Sequence, residues 1–108
     1  MSGELNVAAV LHPKPEKFQE VAALVTEVVK KVKEHEPDTL LYYAFQVKEK
    51  NEIVIIERYK NQEAIKTHVK APYFKEFAAK IPELSEKPWE LRAGTFLGGE
   101  RGSVAAVI

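Results

Sequence analysis

The stretch TLLYYAFQVKEKNEIVIIERY, which runs from Thr39 to Tyr59, decides the fold of this chain. Its two halves, Thr39–Val47 and Ile53–Tyr59, are rich in β-branched and aromatic residues, and this composition favours β-strands. The segment between them, Lys48–Asn51, is polar and short enough to form a hairpin turn. The sequence therefore predicts two neighbouring antiparallel strands.

Both strands of this hairpin are apolar on two faces. A strand with one face in water alternates apolar and polar residues, but Leu40–Phe45 and Ile53–Ile56 are apolar at both parities. Helices of the same chain can cover one face, and no further segment is left to cover the other. Because two-fold pairing is the commonest form of assembly, we expect a second copy of the sheet to cover it, in a homodimer.

The segments before the hairpin predict a strand and a helix. Leu5–Leu11 is an apolar run that is ended by the two prolines of His12-Pro13-Lys14-Pro15. The helix begins at the second proline and ends at Glu36-Pro37-Asp38. Its apolar residues recur every three or four positions, at Phe18, Val21, Ala22, Val25, Val28, Val29 and Val32.

The segments after the hairpin predict two short helices and a last strand. The helical period resumes at Asn61, and Ala71-Pro72 separates the two helices. Trp89–Leu97 predicts the strand. The order β-α-β-β-α-β then predicts an α+β, ferredoxin-like domain at residues 1–97, with a four-stranded antiparallel sheet and its helices on one face. Residues 98–108 form a tail whose apolar end, Val104–Ile108, we expect to pack against the partner subunit, with disorder as the alternative.

The composition excludes several classes of function. The chain has 108 residues, no cysteine, and sixteen basic against sixteen acidic residues. Without cysteine there is no disulfide and no thiolate nucleophile, and zero net charge gives no electrostatic surface for nucleic acid. No apolar stretch approaches the roughly 18 residues that span a bilayer, and the first residues do not resemble a leader. We expect a cytoplasmic protein that binds neither nucleic acid nor membrane.

Motifs for cofactors and metals are missing as well. Gly98-Gly99 follows a strand with no helix after it, so it does not predict a phosphate-binding loop, and there is no nicotinamide or flavin motif. His12 and His35 stand alone at the ends of predicted elements, without the spacing of metal ligands. The sequence therefore predicts neither a cofactor nor a metal site.

The most informative single residue is His68. It shares one helical face with Ile65 and Val69, which points it towards the space between helices and sheet. An imidazole titrates near neutral pH and could take a proton from an acidic C–H or a phenol. The alternative is a half-buried histidine whose nitrogens bond to the backbone or to water.

Four segments, Glu36–Leu40, Glu57–Tyr59, Glu63–His68 and Pro72–Phe74, resemble in order and spacing the core signature of the antibiotic biosynthesis monooxygenase (ABM) family. The resemblance runs from about Leu5 to Leu97. It implies a fold in which two ferredoxin-like subunits pair as a dimeric α+β barrel. Members of the family include cofactor-free monooxygenases of polyketide aromatics, haem-degrading enzymes and an isomerase of a signalling sugar phosphate.

The resemblance does not extend to the characterised sites of either oxidising branch. The haem-degrading branch has a helix tryptophan followed ten residues later by an axial histidine, and here those places hold His68 and Ala78. Without an axial imidazole the haem interpretation loses its main support. The polyketide-oxidising branch pairs polar and aromatic residues on the same helix and has a tyrosine six residues further on. At these places this chain has Ala64, His68 and Phe74.

We expect a mainly apolar cavity with His68 and Tyr73 as its catalytic residues, because in the family the segment around Tyr73 borders the ligand cavity. The expected substrate-binding residues are Asn6, Phe74, Phe77, Trp89 and Arg92. Alternatives stay open: Tyr73 as a core aromatic, Asn6 as an outward-facing strand residue and Arg92 as half of a surface ion pair. Glu57 and Arg58 face opposite ways, and we interpret either as a dimer or helix-cap contact.

The predicted function is a homodimeric, cofactor-independent monooxygenase of a small, hydrophobic, phenolic or enolisable compound. Two alternatives come from other classes of protein. One is a non-catalytic ligand-binding or stress-response dimer. The other is an isomerase that uses His68 as its acid and base.

Overall fold

The computed structural model describes residues 3–99, and within them the elements follow the order β1-α1-β2-β3-α2-α3-β4. The strands are β1 (Leu5–Pro13), β2 (Thr39–Val47), β3 (Glu52–Tyr59) and β4 (Ser85–Gly94). The helices are α1 (Phe18–His35), α2 (Gln62–Lys70) and α3 (Pro72–Lys80). The predicted ferredoxin-like α+β fold is confirmed.

The sheet has the strand order β2-β3-β1-β4, and its neighbouring strands are all antiparallel. The order puts β3 and β1 at the centre and leaves β2 and β4 as edges. Register fixes which residues share a face: Val7 of β1 lies opposite Glu57 of β3 and opposite Ala93 of β4. Because side chains alternate along a strand, these three point towards the helices.

The core lies between this face and the helices. It consists of buried residues from β1, β3, α1, α3 and the turn after α3: Ala9, Leu11, Phe18, Val21, Val25, Val28, Val32, Ile53, Ile55, Phe77, Ile81 and Leu84. Valine is a weak helix former, but packing of the apolar face of α1 on the sheet outweighs this preference. No helix within residues 3–99 is long and apolar enough to cross a membrane.

The other face of the sheet carries no helix in the described part of the chain. Leu41, Tyr43 and Phe45 of β2 lie on it, with 37%, 46% and 45% of their surfaces exposed. Tyr42 and Ala44, which alternate with them, pack against the core. The apolar pattern at both parities therefore corresponds to one covered face and one open apolar face.

The last strand differs from the prediction of Trp89–Leu97. β4 begins at Ser85, where it pairs with Pro13, and it contains Pro88 next to a register shift opposite His12. A proline is tolerated there because β4 is an edge strand and the bulge removes one ladder bond. β4 ends at Gly94, which pairs with Asn6 near the start of β1. The expected docking of the tail falls on residues 100–108, which lie outside the described residues.

Candidate functional site

A cavity of about 210 Å³ lies between the sheet and the two short helices. All four strands and both α2 and α3 contribute to its walls, and most of the lining is apolar. Val69 of α2 and Leu91 of β4 line it and are 45% and 55% exposed, so the cavity opens between these two elements. Its polar side chains are Tyr42, Glu57, Tyr59 and His68.

His68 is held on the buried side of α2 by the way this helix begins. Asn61 caps the helix, and its side-chain oxygen accepts a hydrogen bond of 2.9 Å from the backbone N–H of Ala64. Ala64 and His68 are four residues apart and thus share a face, and both are buried. Only 3% of the surface of His68 is exposed.

The Nδ1 atom of His68 faces the carboxylate of Glu36, just beyond the end of α1. Nδ1 lies 2.9 Å from Oε2 and 3.1 Å from Oε1. Glu36 also accepts hydrogen bonds from Thr39 Oγ1, at 2.8 Å, and from the Tyr73 hydroxyl. Its carboxylate is therefore surrounded by three side-chain donors.

These donors keep Glu36 ionised although it is buried. Burial by itself raises the pKa of the carboxyl, but the hydrogen bonds from His68, Tyr73 and Thr39 outweigh it and the pKa is lowered. An ionised carboxylate only accepts hydrogen bonds, so Nδ1 of His68 carries the proton. In the neutral ring the lone pair is then on Nε2, which lies 3.5 Å from the Tyr42 hydroxyl.

Aromatic rings fix the plane of the imidazole. The ring centroids of Phe74, Tyr42 and Tyr59 lie 4.4, 5.2 and 5.7 Å from that of His68. Trp89 stacks on Phe74 and Phe77 at 6.4 and 5.9 Å and closes another side of the cavity. His68 is thus oriented by one carboxylate and three rings, and its Nε2 lies on the side of Tyr42, which also lines the cavity.

Glu57 is a second buried carboxyl, and it also lines the cavity. One of its oxygens, Oε1, accepts a hydrogen bond of 2.5 Å from the hydroxyl of Tyr59. Burial raises the pKa of Glu57, and it raises the pKa values of Tyr42 and Tyr59 as well. The interpretation of Glu57 as a dimer or helix-cap contact is wrong, because its side chain lies on the helix-covered face and its hydrogen bond comes from Tyr59 of the same strand, not from a helix end.

The residues expected at the site fall into two groups. Phe74, Phe77 and Trp89 line the cavity together with His68. Tyr73 does not line it; its hydroxyl donates to Glu36, beside a surface concavity that also includes His35. Tyr73 thus contacts the carboxylate that holds His68.

Asn6 and Arg92 require a correction, since neither reaches the cavity. Asn6 alternates with Val7 along β1, and Arg92 alternates with Leu91 and Ala93 along β4, so both lie on the open face. The Arg92 guanidinium is exposed and bonds to Glu90 at 3.2 Å and to the Leu91 carbonyl at 3.1 Å. The alternative interpretations therefore apply: Asn6 is an outward-facing strand residue, and Arg92 is half of a surface ion pair.

Two carboxyl groups of the site were missed in the sequence. Glu57 could have been found from strand alternation, since it has the parity of the buried Ile53 and Ile55. Glu36 is 32 positions from His68, and no spacing in the sequence relates the two. Among the residues that the structure describes, no three His, Asp or Glu side chains group so as to hold a metal ion.

Comparison with known proteins supports the assignment of the fold and the family. The model of the antibiotic biosynthesis monooxygenase family matches residues 5–80. The chain belongs to this family. Strands β1, β2 and β3 and the segment from Glu36 to Phe77, which builds most of the cavity, fall within the matched part, and β4 follows it along the chain.

Solved structures from several bacteria have a fold similar to that of this ABM chain. A protein from Mycobacterium tuberculosis has a TM-score of 0.84 at 21% identity, covering 91% of this chain and 99% of that one. A candidate antibiotic biosynthesis monooxygenase from Bacteroides thetaiotaomicron has a TM-score of 0.80 at 27% identity, covering 88% and 90%.

A curated relative comes from Synechocystis sp. This uncharacterised protein is 32% identical over 87 residues, which are 80% of this ABM chain and 58% of that protein. The chain therefore spans little more than half of that relative's length.

Proposed function

We propose that this ABM protein is a cofactor-independent monooxygenase of a small hydrophobic compound that carries an enolisable or phenolic group. The observation that carries the proposal is the Glu36-His68 pair. A buried imidazole is held by a carboxylate through Nδ1, and its other nitrogen is beside an apolar cavity. Such an arrangement suits proton abstraction inside a site with little water.

The first step is a proton transfer within the cavity. Nε2 of His68 takes a proton from an acidic ring C–H or O–H of the substrate, and the substrate becomes an enolate or phenolate. Glu36 accepts from Nδ1 throughout and stabilises the imidazolium that forms. A general base of this kind contributes about 10² to 10⁴ in rate.

The second step uses the electrons of the substrate itself. The carbon that lost the proton binds O₂ to form a peroxide, which takes back the proton from Nε2 of His68 and then loses water. A ring CH₂ group thus becomes a carbonyl, and one oxygen atom of O₂ enters the product while the other leaves as water. All electrons come from the substrate, and the reaction balances without a reductant. The expected role of the protein is to orient the substrate and to remove the proton.

The size of the cavity limits the substrate. A cavity of about 150 Å³ in another protein accommodates benzene, and this cavity measures about 210 Å³. We therefore expect a single substituted ring or a compact pair of rings.

Oxygen uptake tests the proposal. The protein is incubated in air with resorcinol or 2-tetralone, and the rate is followed with an oxygen electrode and by mass spectrometry of the product. We expect turnover that falls about 10² to 10⁴-fold in His68→Ala and stays unchanged in His35→Ala, an exposed histidine. Oxygen uptake that is equal in the wild type and His68→Ala refutes the proposed role.

The same samples separate the alternatives. Exchange of substrate C–H for deuterium without oxygen uptake supports an isomerase that uses His68. Binding without either reaction supports a ligand-binding protein. The cytoplasm stays the expected compartment.

We further propose that the protein is a homodimer in which the open sheet face is the interface. Leu41, Tyr43 and Phe45 form an exposed apolar surface there, and a monomer rarely leaves such a patch in water. In sedimentation at micromolar concentration we expect a dimer that Tyr43→Glu dissociates. Ala79→Glu, which puts the same charge on an exposed position of α3, leaves the dimer intact. A monomeric wild type contradicts the proposal.

A further inference from the structure

Glu57 is the carboxyl group that lines the cavity, and the proposed proton abstraction does not use it. Its side chain is 8% exposed and lines the cavity together with His68. Oε1 accepts one hydrogen bond, from the Tyr59 hydroxyl. Oε2 has no hydrogen-bond partner within residues 3–99, so one carboxyl oxygen is left for a ligand.

The chain offers a comparison between two buried glutamates. Glu36 has three donors around it, which suits an ionised carboxylate, whereas Glu57 has one. A buried carboxylate with a single donor is costly, because burial removes its water and little replaces it. Arg58, the next residue, cannot compensate it because this side chain lies on the opposite face.

We propose that Glu57 is a neutral carboxylic acid whose free oxygen donates a hydrogen bond to an oxygen of the bound ligand. The titratable groups that face it are Tyr42 from β2, Tyr59 from β3 and His68 from α2. β1 and β4 contribute only apolar side chains, such as Val7 and Ala93, next to it. The raised pKa of Glu57, caused mainly by burial, agrees with this geometry.

The ligand class follows from two of the polar side chains of the cavity, His68 and Glu57. His68 accepts at Nε2, and Glu57 donates, so the preferred ligand is a neutral ring compound with one acidic proton and one carbonyl oxygen. A carboxylate in place of the carbonyl gives up its water on entering a mainly apolar cavity and brings a second buried negative charge near the ionised Glu36, so it is rejected. The part about His68 rests on the proposed function; the part about Glu57 does not.

Infrared spectroscopy tests the protonation state without a ligand. The difference spectrum of wild type minus Glu57→Gln is measured at neutral pH, and the matched control is wild type minus Glu63→Gln, an exposed glutamate of α2. We expect the C=O band of a protonated carboxylic acid only in the first spectrum. Carboxylate bands alone in that spectrum overturn the proposal.

A measurement on the wild-type protein alone covers the case in which Glu57→Gln does not fold. In wild-type protein labelled with ¹³C at the glutamate carboxyl carbons, the carboxyl signal of Glu57 is expected to titrate above those of the exposed glutamates. A signal that titrates with them overturns the proposal.

Ligand binding tests the hydrogen bond itself. Calorimetry compares 4-hydroxyacetophenone with 4-hydroxybenzoate, and fluorescence of Trp89, the single tryptophan, shows whether the cavity is occupied. We expect the ketone to bind at least about tenfold more tightly than the carboxylate, to lose about tenfold in Glu57→Ala and to lose less than about threefold in Glu57→Gln. No binding of the ketone at millimolar concentration, or equal binding by wild type and Glu57→Ala, overturns the donor role.

The oxygen-uptake experiment fails or succeeds separately from these results. A protonated Glu57 in a protein that consumes no oxygen supports this inference and contradicts the monooxygenase. An ionised Glu57 in an active oxygenase does the reverse.

Discussion

The charge on Glu36 makes a measurable contribution to the stability of the fold, and Glu36→Gln isolates it. The substitution keeps the shape of the side chain and removes the charge. In the wild type, Oε2 accepts from His68 at 2.9 Å and from the Tyr73 hydroxyl, and Oε1 accepts from Thr39 at 2.8 Å. In the variant the amide oxygen can take the place of Oε2, while the hydroxyl of Thr39 turns to accept from the new NH₂ group.

The expected loss follows from these bonds. A hydrogen bond to a charged group contributes about 1.5 to 3 kcal/mol, and one between neutral groups about 0.5 to 1.5 kcal/mol. The bonds with His68, Tyr73 and Thr39 all lose the help of the charge, at about 1 kcal/mol each, and about 1 kcal/mol is regained because the variant no longer buries a charge. We expect Glu36→Gln to lower the free energy of unfolding by about 2 kcal/mol.

The pH dependence gives this prediction its sign. Because the folded protein lowers the pKa of Glu36, its stabilisation is present above the unfolded pKa of about 4.3 and is lost as the pH falls through the folded pKa. The difference between wild type and Glu36→Gln should therefore be largest near neutral pH. It should shrink in acid, where the wild-type carboxyl is protonated as well.

Urea unfolding at one fixed protein concentration measures the effect, since pairing of subunits would make stability depend on concentration. A loss of about 2 kcal/mol moves the midpoint by about 1 to 2 M urea. Glu63→Gln, on the exposed side of α2, serves as the control and should change stability by less than about 0.5 kcal/mol. A Glu36→Gln effect below about 0.5 kcal/mol, or one that is equal at neutral and acid pH, refutes the reasoning.

Three further predictions concern stability. Burial raises the pKa of Glu57, so the stability that its protonated carboxyl contributes is complete below the unfolded pKa and is lost as the pH rises through the folded pKa. In thermal melts the melting temperature of Glu57→Gln should therefore rise relative to that of the wild type between about pH 4 and about pH 8. Melting temperatures of the two proteins that change in parallel with pH would contradict this. Phe77→Ala should cost about 3 to 5 kcal/mol in urea, because Phe77 is 3% exposed in the core, whereas the exposed Lys75→Ala should change little. Asn51 has a left-handed φ of 56°, and its side-chain amide donates to the Pro13 carbonyl. Asn51→Ala should therefore lower the free energy of unfolding by about 2 kcal/mol, and Asn51→Gly should lower it by less, because glycine adopts this φ without strain. Equal losses in the two variants would exclude a backbone contribution.

Hydrophobic periodicity was sufficient to predict the order of the elements. The valines of α1 recur with a helical period and are buried, and the hairpin from Thr39 to Tyr59 forms with its turn where the polar residues are. Periodicity depends only on neighbours along the chain, so it can be read without knowing the fold. Both ends of β4 were misplaced, because its extent depends on where its partner β1 begins and ends.

The candidate site was predictable only in part, and the reason is again the range of the interactions. His68, Phe74, Phe77 and Trp89 carry helical or strand patterns that point them inwards, and they do line the cavity. Asn6 and Arg92 were assigned to the wrong face, because a shift of one residue along a strand turns a side chain to the other side of the sheet. Only the pairing of β1 with β3 and β4 fixes that choice.

The sequence by itself determined the elements, their order and the presence of two apolar sheet faces, since these follow from local patterns of apolar and polar residues. The tertiary structure alone decided the chemistry around His68. Glu36 reaches it from the end of α1, 32 positions away, and Glu57 reaches the same cavity from the central strand β3. The pKa of Glu36 is lowered and that of Glu57 is raised, because Glu36 has three hydrogen-bond donors around it and Glu57 has a single donor. The number of donors around a buried group is set by packing between distant segments.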